Sequence, residues 1–163
     1  MTRSTTAAPA KPLPTAQHRQ LELFVGKWNI TGVQNESQVG PAAEITGSER
    51  FEWLEGGLFL VHHFDAKVGG ATAACIEITG YDASTGTYPT HTYYNNGRRA
   101  EWQLAERDGT WILTGEYPMR DGTAQVRCTI EFADEGNTRT GKWESSTDGR
   151  RWETFWDVRA TRN

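Results

Sequence analysis

The sequence predicts an all-β domain: about ten antiparallel strands in a meander, closed into an up-and-down barrel behind a short N-terminal helix. Three observations carry this expectation. Glycine-centred turn signals recur along the chain, at Gly56-Gly57, Gly69-Gly70, Thr85-Gly86, Asn96-Gly97, Asp108-Gly109, Asp121-Gly122, Glu135-Gly136 and Asp148-Gly149. Asn-Gly and Asp-Gly favour the positive φ of tight hairpin turns. Between the turns, apolar and polar residues alternate, as in Val126, Cys128, Ile130 and Phe132. A period of two puts one face of each strand toward a core. The chain also holds seven Trp and 17 Gly in 163 residues, and aromatic side chains suit a pleated, half-buried surface.

In chain order, residues 1–13 are rich in Ala, Thr and Pro and read as a disordered tail, leaving 14–163 as the folded domain. The N-terminus has no apolar stretch of the kind that a secretory signal needs, so a cytoplasmic location is expected. A short helix follows, with Thr15 as its cap, Leu21, Phe24 and Val25 at helical spacing, and Gly26 at its end. Strands are then expected over 27–36, 43–54, 57–67, 72–81, 87–95, 98–106, 109–117, 123–133, 138–147 and 150–160. All connections are short, so strands adjacent in sequence should be adjacent in the sheet. A flat sheet of this length would leave two edges open to aggregation, and closure removes both. Barrels of about eight to ten strands leave room for side chains and one small ligand. A two-sheet sandwich is the structural rival.

The net charge of −4 argues against non-specific nucleic-acid binding, which needs a basic surface. No apolar run approaches the roughly 18 residues of a membrane-spanning helix. Cys75 and Cys128 form no Cys-x-x-Cys pair and read as small hydrophobes of the wall. Phosphate-binding glycine loops, Gly-x-Ser-x-Gly and His-Glu-x-x-His are absent. With four His, one of them His18 in the helix, neither a metal site nor a cofactor is expected.

Gly26-Lys27-Trp28, opening the first strand, resembles the Gly-x-Trp start of the calycin superfamily of lipocalins, fatty-acid-binding proteins and nitrobindins. The resemblance implies that Trp28 plugs one end of the barrel and that a late arginine, Arg159 or Arg162, packs across it. The wider pattern resembles a bacterial family of such barrels catalogued as a domain of unknown function. It is carried by Leu23-Phe24-Val25-Gly26-Lys27-Trp28, the segment Leu54 to Val61, and the segment Gly80 to Tyr88. Nitrobindin-like barrels bind haem through a late histidine; this chain has no His after His91, a departure from that route.

Several residues have functional chemistry. His62 and His63 are adjacent in a strand, so one faces inward and the other outward, and Asp65 shares the face of His63. A His beside a carboxylate suits general acid–base work near neutral pH. His91, Tyr93 and Asn95 share one face of the next polar strand; Thr90, Thr92 and Tyr94 share the other. Through the Asn96-Gly97 turn, Arg99 and Glu101 lie on the face opposite Ala100, Trp102 and Leu104. A solvated face or a cross-strand ladder accounts for such residues equally well. The catalytic candidates are therefore His63, Asp65, His91 and Glu101. The ligand-binding candidates are His62, Tyr93, Tyr94, Arg99, Trp102, Trp111 and Trp143.

These observations lead to three readings: a barrel that binds a small hydrophobic or aromatic molecule, a cofactor-free isomerase or cyclase of a small reactive metabolite, and a structural module such as a homodimer formed through exposed strands.

Overall fold

The structure, a computed structural model, describes residues 12–119 and 122–163. Most of the expected tail, residues 1–11, lies outside the described residues. The chain begins with α1 (Ala16–Gln20) and a 3₁₀ turn (Leu21–Leu23). Ten strands follow: β1 (Gly26–Gln34), β2 (Ala43–Trp53), β3 (Phe59–Val68), β4 (Ala71–Gly80), β5 (Tyr88–Tyr94), β6 (Arg99–Arg107), β7 (Thr110–Met119), β8 (Gly122–Ala133), β9 (Thr138–Ser146) and β10 (Glu153–Arg162).

Each strand pairs antiparallel with its sequence neighbours, and β10 returns to pair with β1, closing the barrel. The closing seam is long, running from Trp28 opposite Arg162 to Gln34 opposite Trp156. Closure, the meander order and all ten strands agree with the sequence expectation, and the sandwich alternative is overturned.

The helical segment covers one end. Leu21 and Trp28 are fully buried, and Phe24 packs edge-on against both Trp111 and Phe132. The indole N–H of Trp28 donates to the Phe24 carbonyl at 2.8 Å. Tyr88 ties the helix to the wall, donating to the Gln17 carbonyl or the Gln20 side chain. Thr15 is extended, and its backbone N–H donates to Nδ1 of His18 at 3.1 Å, which satisfies one of the donors that a helix start leaves open.

Arg162 completes this end. Its guanidinium lies 4.2 Å from the centroid of a Trp28 ring and donates to the carbonyls of Leu23, Val25 and Gly136. Of the two expected arginines, Arg162 therefore covers the plug, whereas Arg159 is exposed and reaches Asp134 at 3.8 Å. Gly26 makes this contact feasible: it has φ +130°, and a Cβ there would lie 2.6 Å from a guanidinium nitrogen of Arg162.

One strand departs from simple alternation. The sequence pattern groups Trp152, Trp156 and Val158 on one face, but a bulge between Thr154 and Trp156 shifts the register. Phe155 is buried, Trp156 faces the interior, and Trp152 lies outside, covered by Arg127 at 4.1 Å.

Candidate functional site

Alternation fixes which side chains enter the barrel. On β2 these are Ile45, Glu49 and Phe51; on β3, Leu60, His62 and Ala66; on β4, Cys75, Glu77 and Thr79. On β5 they are Tyr88, Thr90, Thr92 and Tyr94, and on β9 Arg139, Gly141 and Trp143. The interior is filled at the helix end and hollow toward the other. A cavity of about 350 Å³ remains, mostly apolar in its lining. Toward the hollow end its lining includes Val39, Asn95 and Asn96 from the connections and Thr72 near the start of β4.

Across β2, β3, β4 and β9 runs a charged cluster. His62 Nε2 is 3.0 Å from a Glu49 oxygen, and His62 Nδ1 is 2.6 Å from a Glu77 oxygen. The register makes this possible, since His62 pairs with Phe51 on one side and Glu77 on the other. The imidazole stacks on Phe51 with centroids 3.8 Å apart and planes within 3°. Arg139 makes an ion pair with the second Glu49 oxygen, and its guanidinium packs over the rings of Phe24, Trp28 and Phe51. Its Nε is buried and has no hydrogen-bond partner among the described residues. Burial and the nearby Arg162 lower the Arg139 pKa to about 10, which leaves it charged at neutral pH.

Glu77 carries the cluster farther into the wall. Its other oxygen accepts from Thr92 at 2.8 Å, and the Thr92 hydroxyl accepts the indole N–H of Trp102 at 3.0 Å. Burial pushes the Glu77 carboxyl up, but the His62 and Thr92 contacts outweigh it and hold the pKa below the ordinary value. Burial and the charge of Glu77 raise the Cys75 thiol and the Tyr94 hydroxyl.

Around this cluster stand aromatic rings. Trp102 stacks on Tyr117 with planes within 10°, meets Trp143 edge-on, and lies over Gly115, where a Cβ would come within 2.5 Å of the indole. Tyr94 meets Tyr117 edge-on. Among the described residues, the hydroxyls of Tyr94 and Tyr117 and the indole N–H of Trp143 have no hydrogen-bond partner in the protein.

The structure places His62, Tyr94, Trp102 and Trp143 on the cavity wall. The other candidates require correction. His63, Asp65, Tyr93 and His91 lie on the outer face of β3 and β5, because each is one step out of phase with an inward residue. Arg99 and Glu101 are likewise outward on β6. His63 lies 3.6 Å from Glu52, and His91 lies 3.9 Å from Glu101, both as exposed pairs. Trp111 is inward but sits in the plug between Phe24 and Tyr88, away from the cavity. Ile76, Ile78 and Tyr93 leave an exposed apolar patch on the outer face.

Three cluster members were missed by sequence reasoning: Glu49, Glu77 and Arg139. Glu49 is in phase with Ile45 and Phe51, and Arg139 with Gly141 and Trp143, whereas Glu77 shares its phase with Cys75 and Thr79 and is flanked by Ile76 and Ile78 on the other. For Glu49 and Arg139 a lone charge on the less polar phase of a strand was the available signal; for Glu77 alternation pointed the other way, because Ile76 and Ile78 make the opposite phase of β4 the more apolar one.

The fold and the site together define a closed ten-stranded barrel with an internal cavity and a buried charged cluster. The chain belongs to the DUF1579 family of proteins of unknown function, whose family model matches residues 13–162. No curated protein matches the sequence. Among solved structures, the S-type phycobiliprotein lyase CPES from Guillardia theta is similar, at 15% identity with a TM-score of 0.58, covering 92% of this chain and 98% of that one. That likeness is one of fold. A de novo designed fluorescence-activating β-barrel aligns at 12% identity and a TM-score of 0.44 over 87% of this chain and 95% of its own. No helix among the described residues is long and apolar enough to cross a membrane.

Proposed function

We propose that this barrel binds a small, largely apolar or aromatic molecule in its interior cavity. The observation that carries the reading is the open cavity of about 350 Å³, walled by Trp102, Trp143, Trp156, Tyr94 and Tyr117. Aromatic walls supply apolar area, and the unpartnered Tyr94, Tyr117 and Trp143 groups supply the few polar contacts that orient a ligand. A packed core leaves no such void, because interiors fill to crystal-like density.

Native mass spectrometry of the protein after exposure to a metabolite extract tests this, with tryptophan fluorescence as a second readout. A retained small molecule is expected with the wild type. It is lost in Val126→Phe, which fills the cavity from its wall. An empty wild-type protein, or retention unchanged in the filled variant, overturns the reading.

A second reading, a cofactor-free isomerase or cyclase, is favoured by one observation: His62 stands between two carboxylates on the cavity wall. Such a group can move a proton on a bound molecule. An isomeric product formed from the extract by the wild type, and absent with His62→Gln, supports it; identical product profiles count against it.

A further inference from the structure

We infer that the cavity selects an organic cation, an amine on an apolar or aromatic body, with the ammonium held at Glu77. The inference rests on the ligand-binding reading above and names its ligand class.

The four groups of the charged cluster, Glu49, His62, Glu77 and Arg139, face the cavity. Arg139 is the one fixed positive group of the cluster, and Glu49 cancels it by direct contact. Glu49 has its second oxygen on His62, and its side chain is only 5% exposed. That leaves Glu77 and His62. With His62 neutral the four groups sum to a single negative charge; with His62 protonated they sum to zero. In neither state is the site positive, so a carboxylate ligand meets no net attraction, and a cation meets attraction or none.

Glu77 is also the accessible carboxylate, with a side chain 17% exposed and in the cavity lining. Each of its oxygens makes one hydrogen bond, to His62 or to Thr92. A carboxylate has about four acceptor positions, so roughly two are open to a ligand. Its charge reaches across the hollow, since it contributes to raising Cys75, Tyr94 and Cys128, on three different strands.

The surroundings suit an ammonium. Trp102 is joined to Glu77 through Thr92, and Tyr94 lies two residues from Thr92 toward the mouth. Tyr117 and Trp143 pack against Trp102. A carboxylate among aromatic faces combines ion pairing with cation–π attraction, and both gain from mostly apolar, low-dielectric walls.

Three matched ligands test the inference: 4-phenylbutylamine, 4-phenylbutanol and 4-phenylbutyrate. Each is titrated by calorimetry at neutral pH, and the binding of Nile red, a neutral dye, is followed in parallel. The amine is expected to bind at least about tenfold tighter than the alcohol, with the acid weakest. In Glu77→Gln the amine and alcohol should become equal while Nile red still binds. Equal binding of amine and alcohol by the wild type, tighter binding of the acid, or an amine preference that survives Glu77→Gln overturns the inference. If the amine fails while Nile red binds, the cation preference falls and the ligand-binding barrel stands. If Nile red fails too, both fall.

Discussion

Arg162 and Trp28 face each other across the closing seam of the barrel, directly paired in register, with the guanidinium 4.2 Å from the indole ring. One side chain thus joins the last strand to the first, covers the plug, and satisfies three carbonyls at the helix and the β8–β9 turn. Charge-assisted hydrogen bonds and a cation–π contact together suggest that Arg162→Leu costs about 3 kcal/mol. Arg162→Lys should recover little of this, because an ammonium cannot reach three acceptors in a planar fork. Urea denaturation of the two variants checks both statements.

The plug and the cavity wall should separate in their effects. Trp111 is buried in the plug, so Trp111→Ala should destabilise the fold by about 3–5 kcal/mol. Trp143 is half-buried and faces the cavity. Trp143→Ala should cost less stability yet weaken Nile red binding more than Trp111→Ala does, measured where each variant is folded. Equal losses of dye binding would contradict the division.

Glu77 predicts a pH dependence. Its folded pKa lies below the ordinary value of 4.5. The unfolded chain therefore takes up a proton on this group at a pH where the native protein still holds it ionised. The resulting stabilisation is complete above the ordinary value and is lost as the pH falls through the lowered native one. The stability difference between wild type and Glu77→Gln should thus shrink as the pH falls below the ordinary value of 4.5, read by urea unfolding at a series of pH values. A difference that grows on acidification would contradict the sign.

The outward residues should be silent in binding. His63→Ala, Asp65→Ala, His91→Ala and Glu101→Ala remove exposed groups that do not line the cavity. Each should change stability by about 0.5 kcal/mol or less and leave Nile red affinity unchanged. A large binding loss in any of them would move the functional site to the outer face.

Much of the fold was legible because hairpin turns and strand alternation are local signals. Asn96-Gly97 and Asp108-Gly109 mark turns by their own backbone preferences, and Gly97 and Gly109 do adopt positive φ. Inside versus outside was harder. Leu60, His62, Phe64 and Ala66 share the apolar phase of β3, which marks His62 as the inward member of the His62–His63 pair, but two adjacent histidines draw attention equally. On β5 both faces are polar and aromatic, so alternation leaves the phase open, and only pairing with β6 fixes Thr92 and Tyr94 inside. On β10 the bulge at Phe155 breaks the phase itself, and no residue type there announces it. The charged cluster escaped notice because it is assembled across four strands, one charged or titratable residue from each of β2, β3 and β4 and a fourth from the distant β9, so no local motif announces it.

The helix, Trp28 and Arg162 stopper one end of the barrel, while the turns around Val39 and Asn96 leave the other ajar. Among the described residues, the proposed guest thus has one doorway, and would leave by the route it came. The architecture suits a container that is loaded and emptied from the same side, and it is unsuited to a conduit that passes cargo through.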